Sequence, residues 1–193
     1  MFDTVYKFES EIADFFGAPC AVSTDCCTHA IELCLRYKRV KQATSPKHTY
    51  LSIPMTMQKV NLQWKFVDNE WSEYYYITDK IIDAATMWRQ NSYIPGTFMC
   101  LSFQFRKHLS LGRGGIILCE DPVDAANLIK LGYDGRHRNL PWAEQDITSA
   151  GYHYYMTPET AQIGLDKLED AKTTIPKLWS WKDYPDLSKL KVF

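Results

Sequence analysis

Lys107 is the residue whose surroundings most clearly suggest chemistry. It lies five residues after Ser102 in SFQFRKHLSLGRGG, a stretch that opens onto the apolar run IIL. A lysine amine can act as a nucleophile that forms a Schiff base with a carbonyl compound. The ordinary alternatives are a solvated surface lysine and a serine that caps the following turn.

A second group of residues has the properties of a phosphate-binding turn. The stretch STDCCTHA follows the short apolar run PCAVS, precedes a helical pattern, and contains Cys27 and Thr28. Free backbone N–H groups and the dipole at the start of a helix favour a phosphate. Cys27 and Thr28 could also be a plain helix start, and that interpretation is compatible with a bound phosphate.

The elements that must position these residues alternate between strands and helices. Helical spacing of apolar residues from Val5 to Phe16 predicts one helix, and THAIELCLRYKRV predicts another. Two further helices are expected after the caps Asp121 and Thr157. HTYLSIP is expected to be extended, because Pro54 disfavours helix before it. The predicted strands are PCAVS, LQWKFVD, KIID, FMCLSF and GIILC.

This alternation predicts an α/β domain, a sheet with helices on its faces. Ligands bind such sheets at the carboxyl ends of the strands, which is where Asp83, Ser102 and Lys107 fall. Asp83 also has an ordinary interpretation, as the N-cap of a helix over AATMW. We expect one domain over residues 1–172 and an irregular tail over 173–193 that docks on the body or on a dimer partner.

Composition narrows the classes of partner and location. The 193 residues carry a formal net charge of −1, which gives no electrostatic reason to expect nucleic acid or an anionic membrane as a partner. No apolar run is long enough to cross a bilayer, and the first residues lack the layout of a signal peptide. The 6 cysteines have no CxxC spacing, which favours reduced thiols of a cytoplasmic protein over a zinc site.

Five segments, taken in order, resemble the DegT/DnrJ-type sugar aminotransferases, which are fold-type I enzymes that use pyridoxal 5'-phosphate (PLP). The segments are FESEIADFFGAPCAVSTDCCTHAIELCL, QWKFVD, IIDAAT, SFQFRKHLSLGRGGIIL and GYHYYMTPETAQIGLDKLE. The resemblance implies the large domain of that fold, with a mostly parallel sheet and helices on both faces. It also implies a PLP-dependent aminotransferase that transfers an amino group from an amino acid, such as glutamate, to a keto substrate, such as a nucleotide-linked keto-sugar.

The resemblance implies roles for the polar residues. Lys107 would hold PLP as an internal aldimine and then move the substrate proton, and Asp83 would keep the pyridine nitrogen protonated. Tyr50 would stack on the cofactor ring. The other implied cofactor contacts are Cys27, Thr28 and Ser102 at the phosphate, Thr86 near the ring, and His153 at the cofactor of the neighbouring subunit.

The family builds each site from two subunits, so the resemblance implies a homodimer with its sites at the interface. The excess of aromatic residues, among them Trp179 and Trp181, fits an interface. Tyr50 and His153 could instead be core or interface residues without a catalytic role.

The sequence departs from the family pattern at several positions. Cys27 stands where glycine is usual, and its side chain is expected to crowd the phosphate or to change the turn. Thr86 replaces glutamine or histidine, Arg106 replaces threonine before the lysine, and Tyr155 replaces an arginine. NEWSEYYYIT stands in place of a helix–strand–helix unit, so we expect one strand fewer than in the family. After Glu169 only a short tail stands where the family has a small domain.

Three other interpretations follow from these departures. The chain could bind PLP without turnover and act as a regulatory scaffold, paired with itself or with a full-length relative. It could catalyse a related PLP reaction, such as racemisation or dehydration. It could also be an α/β domain that binds no cofactor.

Overall fold

The computed structural model describes residues 1–193. The helices are α1 (Asp3–Phe16), α2 (Cys27–Tyr37), α3 (Ser52–Lys59), α4 (Pro122–Gly132) and α5 (Pro158–Thr173). The strands are β1 (Cys20–Thr24), β2 (Gln42–Pro46), β3 (Gln63–Val67), β4 (Tyr75–Tyr76), β5 (Ile81–Asp83), β6 (Phe98–Ser102) and β7 (Gly115–Cys119). None of the helices combines the length and the apolar character needed to cross a membrane.

The helix ends that the sequence marks with capping residues are confirmed. Gly17 ends α1 in the left-handed region, at φ 73°, which glycine adopts more readily than other residues. The Asp121 carboxylate accepts a hydrogen bond from the Val123 N–H at 2.8 Å at the start of α4. Thr157 caps α5 in the same way, and its hydroxyl oxygen accepts from the Thr160 N–H.

The expectation that HTYLSIP is extended is wrong. Its last residues begin α3, and Pro54 lies in the first turn of that helix. The N–H groups of a first turn have no intrahelical acceptor, so a proline there removes no hydrogen bond. The strand β2 is a separate case, because the sequence did not predict it. Its residues QATSP include too few apolar side chains to indicate a strand.

The α/β class is confirmed, but the sheet is mixed rather than mostly parallel. Its five strands lie in the order β1-β7-β6-β5-β4, and β2 and β3 form a separate parallel pair. β5 and β6 are parallel, whereas β7 runs against both of its neighbours and β4 runs against β5. No helix connects β6 to β7, whereas parallel neighbours are usually joined by a helical crossover, so the antiparallel pairing fits the connection.

Between β3 and β5 the chain forms only the two-residue strand β4. This is the stretch that stands in place of a helix–strand–helix unit. The backbone just after β4 joins the two sheets, because the Thr44 N–H of β2 donates to the Ile77 carbonyl at 3.0 Å. Because β4 also pairs with β5, the aromatic residues of NEWSEYYYIT lie next to the end of β5.

Helices cover both faces of the five-stranded sheet, as expected. Alternate residues of β6 point to opposite faces: Met99 and Leu101 belong to a core shared with α1 and α5, and Phe98 and Cys100 to one shared with α2, α3 and α4. Both faces are buried, which explains the nearly continuous apolar runs of β6 and β7.

The segment after α5 lies on the body of the domain through backbone hydrogen bonds. The Leu187 N–H donates to the Lys47 carbonyl at 2.8 Å, and the Trp181 N–H donates to the Trp71 carbonyl at 3.1 Å. Leu187 itself is only 2% exposed. This tail thus covers the side of the domain where β5 and β6 end.

Candidate functional site

A cavity of about 650 Å³ opens at the carboxyl ends of β5 and β6. Its volume falls in the range usual for small-molecule and cofactor sites. Seven of the residues predicted from the sequence line it: Cys27, Thr28, Tyr50, Asp83, Thr86, Ser102 and Lys107. The strand ends that the sequence indicated therefore do meet at one concave surface.

Lys107 is half-buried at the wall of this cavity. Its backbone N–H donates to the Gln104 carbonyl at 2.7 Å, which fixes the turn that presents the side chain. Burial lowers the pKa of the Lys107 amine; the negative charge of Asp83 opposes that effect and the positive charge of Arg106 adds to it. A lowered pKa increases the neutral fraction of the amine, which is its nucleophilic form.

Asp83 lies at the end of β5 and is only 5% exposed. One carboxylate oxygen accepts a hydrogen bond from the Ala85 N–H at 2.9 Å, and the other accepts from the Tyr75 hydroxyl. Burial raises the pKa of Asp83, and both hydrogen bonds oppose that rise. No helix follows, so the alternative in which Asp83 caps a helix over AATMW is wrong.

Tyr75 is a site residue that sequence reasoning missed. It lies in β4, is buried, and its hydroxyl contacts Thr49 Oγ1 as well as Asp83. Trp71 lines the same cavity, and its indole N–H donates to the His48 carbonyl at 2.7 Å. The density of aromatic residues in NEWSEYYYIT was the only signal in the sequence that this segment had a structural role.

The turn before α2 has free hydrogen-bond donors. Cys26 precedes the helix with extended backbone, and no side chain caps the N–H groups of the first turn. The hydroxyls of Thr28 and Ser52 lie 2.7 Å apart at the cavity wall, and Ser52 is a further residue that the sequence did not indicate. These two hydroxyls and the free N–H groups at the start of α2 are hydrogen-bond donors that suit a phosphate.

Cys27 occupies the position of the family's glycine without unusual backbone geometry. It is not among the residues with positive φ, so the turn does not require glycine there. The thiol is buried, and burial raises its pKa well above the ordinary value, with the charge of Asp83 adding to the effect. The side chain therefore remains an uncharged thiol at neutral pH.

Charged side chains surround the start of α2. Asp25 pairs with His29 at 2.6 Å and with Arg113 at 2.7 Å. Burial alone would lower the pKa of His29, but its hydrogen bonds to Asp25 and Cys26 outweigh burial and raise the pKa to about 9. Potential metal-ligand atoms of Asp25, Cys26 and His29 lie within 4.8 Å of one another, yet two cationic side chains already compensate the carboxylate.

The other predicted residues have different surroundings. Tyr50 is 58% exposed at the cavity wall. The Thr86 hydroxyl donates to the Glu73 carbonyl at 2.8 Å, and Ser102 Oγ accepts weakly from the Gln104 N–H at 3.4 Å. The Ser102 contact is the turn cap that was the ordinary interpretation of this serine.

His153 is the one predicted residue that does not line the cavity. Its Nδ1 lies 2.9 Å from an Asp134 carboxylate oxygen, and its side chain is 70% exposed. Its ring packs edge-on against Tyr155, with the centroids 4.8 Å apart.

The fold is similar to those of several solved proteins, one of which is a putative sugar aminotransferase. AtS13 from Actinomadura melliaura is 20% identical with a TM-score of 0.74, and the match covers 87% of this chain and 60% of that one. The PLP form of the putative sugar aminotransferase Spr1654 from Streptococcus pneumoniae is 18% identical with a TM-score of 0.71, over 87% and 59%. DesI, solved in the presence of its TDP-sugar product, is 19% identical with a TM-score of 0.70, over 87% and 53%.

These matches span no more than 60% of the solved chains, so this chain corresponds to part of their length. No curated protein matches the chain by sequence. The family model of the DegT/DnrJ/EryC1/StrS aminotransferases matches residues 1–95 and 94–178, which is most of the sequence. The chain therefore belongs to the DegT/DnrJ/EryC1/StrS aminotransferase family.

Proposed function

We propose that this chain binds PLP in the cavity beside Lys107 and catalyses amino-group transfer. The observation that carries the proposal is that a half-buried lysine and a buried carboxylate, Lys107 and Asp83, line the same cavity. Family membership supports the same assignment, and one of the similar structures is a PLP form.

The residues fit a phosphorylated pyridine aldehyde. The free N–H groups at the start of α2, with the hydroxyls of Thr28 and Ser52, would hold the phosphate. The Asp83 carboxylate keeps acceptor capacity beyond its two hydrogen bonds and would accept one from the protonated ring nitrogen. Tyr50 would cover the ring from the cavity wall. When bound, PLP supplies an electron sink for the reaction.

Lys107 has two roles in this proposal. Its amine, made less basic by burial, would condense with the cofactor aldehyde and release one water molecule. Once the amino donor has displaced it, the same Nζ atom would take the proton from the substrate carbon and return it at the cofactor side. Asp83 would stay ionised throughout and hold the ring in place.

The substrates we propose are an amino acid such as glutamate as donor and a nucleotide-linked keto-sugar as acceptor. The sugar assignment rests on the family and on neighbours such as DesI, solved with a TDP-sugar product. Three large apolar side chains exposed at the cavity, those of Tyr50, Leu51 and Phe105, support a homodimer whose interface lies at the site. In that dimer His153 would act at the partner's cofactor.

A second candidate function is PLP binding without turnover, as a scaffold that pairs with itself or with a full-length relative. Two features favour it: the Cys27 side chain at the phosphate turn, and a Thr86 hydroxyl that is already engaged with the Glu73 carbonyl. The presence of Lys107 and Asp83 on one cavity wall favours the enzyme.

The half-reaction distinguishes these candidates. We expect glutamate to convert bound PLP to pyridoxamine phosphate in the wild-type protein. Lys107→Ala should slow this conversion by about 10²- to 10⁴-fold, because the variant lacks the group that moves the proton. Chromatographic separation of the two cofactor forms provides the measurement. A wild-type protein that retains PLP unchanged with every amino donor tested would favour the scaffold and contradict the aminotransferase.

A further inference from the structure

A small cavity of about 130 Å³ lies beside the cofactor cavity, on the side of Lys107 next to Trp88 and His108. The two cavities are adjacent and share six lining residues: Ala85, Thr86, Ser102, Arg106, Lys107 and Trp179. The small cavity has four basic side chains in its wall and no acidic one: Arg106, Lys107, His108 and Lys177.

Three of these basic groups already have partners. Lys177 pairs with Asp183 at 2.9 Å, and His108 Nε2 lies 2.9 Å from the Ala171 carbonyl. Lys107 faces the Trp179 ring, with Nζ 5.4 Å from its centroid, and also interacts with the charge of Asp83. Arg106 forms no ion pair within 4.0 Å, although it lines both cavities. The small cavity therefore has positive charge in its wall, and Arg106, an exposed residue, contributes a guanidinium group that pairs with no carboxylate.

The size and position of the small cavity restrict the anion it can hold. One water molecule takes about 30 Å³ of liquid, so the cavity accommodates a group of a few atoms, and a nucleotide is too large. In an α-amino acid the carboxylate is attached to the carbon that bears the amino group. A donor whose nitrogen reacts next to Lys107 must therefore place its carboxylate beside this lysine.

We propose that the small cavity is the subsite for the α-carboxylate of the amino donor, and that Arg106 binds this carboxylate. The inference rests on the proposed aminotransferase function and specifies its donor half. Arginine suits the role because its guanidinium group matches a carboxylate with two parallel hydrogen bonds. Donors that lack an α-carboxylate would leave Arg106 without a partner.

Binding of unreactive conjugates tests the subsite separately from turnover. The probes are the reduced, stable conjugates of PLP with glutamate and with 4-aminobutanoate, which differ only by the α-carboxylate. Calorimetric titration of the cofactor-free protein measures their dissociation constants. We expect the glutamate conjugate to bind about 10- to 100-fold more tightly in the wild type, the effect of one charge-assisted contact.

Arg106→Gln should reduce this preference to within about 3-fold, and Arg106→Lys should retain part of it. Arg39→Gln is the matched control, because Arg39 is exposed just beyond the opposite end of α2, and it should leave the preference unchanged. Equal binding of both conjugates to wild type and Arg106→Gln would overturn the subsite and leave the proposed function intact.

Two other results have distinct meanings. If neither conjugate nor pyridoxamine phosphate binds the wild type, the cofactor site itself is wrong and the proposed function fails with it. TDP serves as the third probe: if Arg106→Gln weakens TDP binding but not the preference for the glutamate conjugate, the anion is a substrate phosphate and the carboxylate subsite is overturned.

Discussion

At the scale of single residues, the site depends on how Asp83 is held. A carboxylate buried to this degree is costly to ionise, and the Tyr75 hydroxyl and the Ala85 N–H reduce that cost. Tyr75 comes from the short stretch that stands in place of a helix–strand–helix unit. Asp83, which we propose as the partner of the ring nitrogen, is thus supported by a residue from this short stretch.

Tyr75→Phe should therefore weaken PLP binding in a pH-dependent way. Loss of the hydroxyl raises the pKa of Asp83 further, so the carboxyl group becomes neutral at a higher pH than in the wild type. We expect PLP affinity to fall by about 3- to 10-fold at neutral pH. As the pH is lowered, the decline should also begin earlier in the variant than in the wild type.

Titration of PLP absorbance at a series of pH values measures both effects. Tyr76→Phe is the control, because Tyr76 is adjacent and exposed. If the pH profiles of Tyr75→Phe and wild type coincide, Tyr75 has only a packing role.

At the scale of elements, the C-terminal tail completes the cavity. Trp179, Tyr184 and Leu187 all line it, and Leu187 is anchored both by its buried side chain and by the hydrogen bond to the Lys47 carbonyl. Besides the buried Leu187, backbone hydrogen bonds and aromatic contacts such as Trp71 with Tyr184 hold this segment. The tail adds no strand to either sheet, so we expect it to detach before the sheet unfolds.

Leu187→Ala should release the tail and leave the core folded. Truncation of a buried leucine costs about 2–5 kcal/mol, and here that loss falls on the contact between the tail and the body. We expect faster hydrogen exchange at the Leu187 and Trp181 amides and weaker PLP binding. Exchange at the amides of β6 should stay the same.

Val192→Ala provides the matched control, since this side chain is exposed in the same tail. Exchange mass spectrometry of both variants supplies the comparison. Uniformly faster exchange across β6 and β7 in Leu187→Ala would mean that the tail is part of the cooperative core and not a separately docked element.

At the scale of the whole molecule, sequence patterns predicted most of the helices and sheet strands. They did not predict the elements whose positions depend on contacts distant in sequence. Apolar runs and capping residues specify β6, β7, α4 and α5, because burial on both sheet faces and local hydrogen bonds leave marks in the sequence. The start of α3 and the position of β2 depend on contacts distant in sequence.

The same distinction applies to the site. Asp83 is the last residue of β5 and Lys107 follows β6, so the sequence indicates that both lie at the same edge of the sheet. Tyr75 reaches Asp83 only because β4 pairs antiparallel with β5, and Trp179 reaches Lys107 only because the tail folds back. No local sequence pattern predicts these two contacts.

The proposed dimer is also a property of the whole molecule. Trp179 and Trp181 were expected to serve a dimer interface, but within the chain Trp179 lines the cavity and the Trp181 ring lies 5.3 Å from that of His48. The exposed cavity residues Tyr50, Leu51 and Phe105 are further candidates for that interface.

Dilution should lower PLP affinity in parallel with loss of the dimer if two subunits build each site. Sedimentation velocity across a range of protein concentrations, recorded at the cofactor's absorbance band, follows both quantities together. Phe105→Asp should shift the dimer equilibrium toward monomer through charge at the interface. A monomer that binds PLP with unchanged affinity would contradict the shared site.

The most direct test of the account is the visible spectrum of the protein with PLP, before and after borohydride, in wild type and Lys107→Ala. We predict a cofactor band in the wild type that borohydride removes, with the phosphopyridoxyl group found on Lys107 by peptide mass spectrometry. Lys107→Ala should lack the band, and Lys65→Ala, which changes an exposed lysine of β3, should keep it. A wild type without the band at saturating PLP, or a band that persists unchanged in Lys107→Ala, would contradict the account.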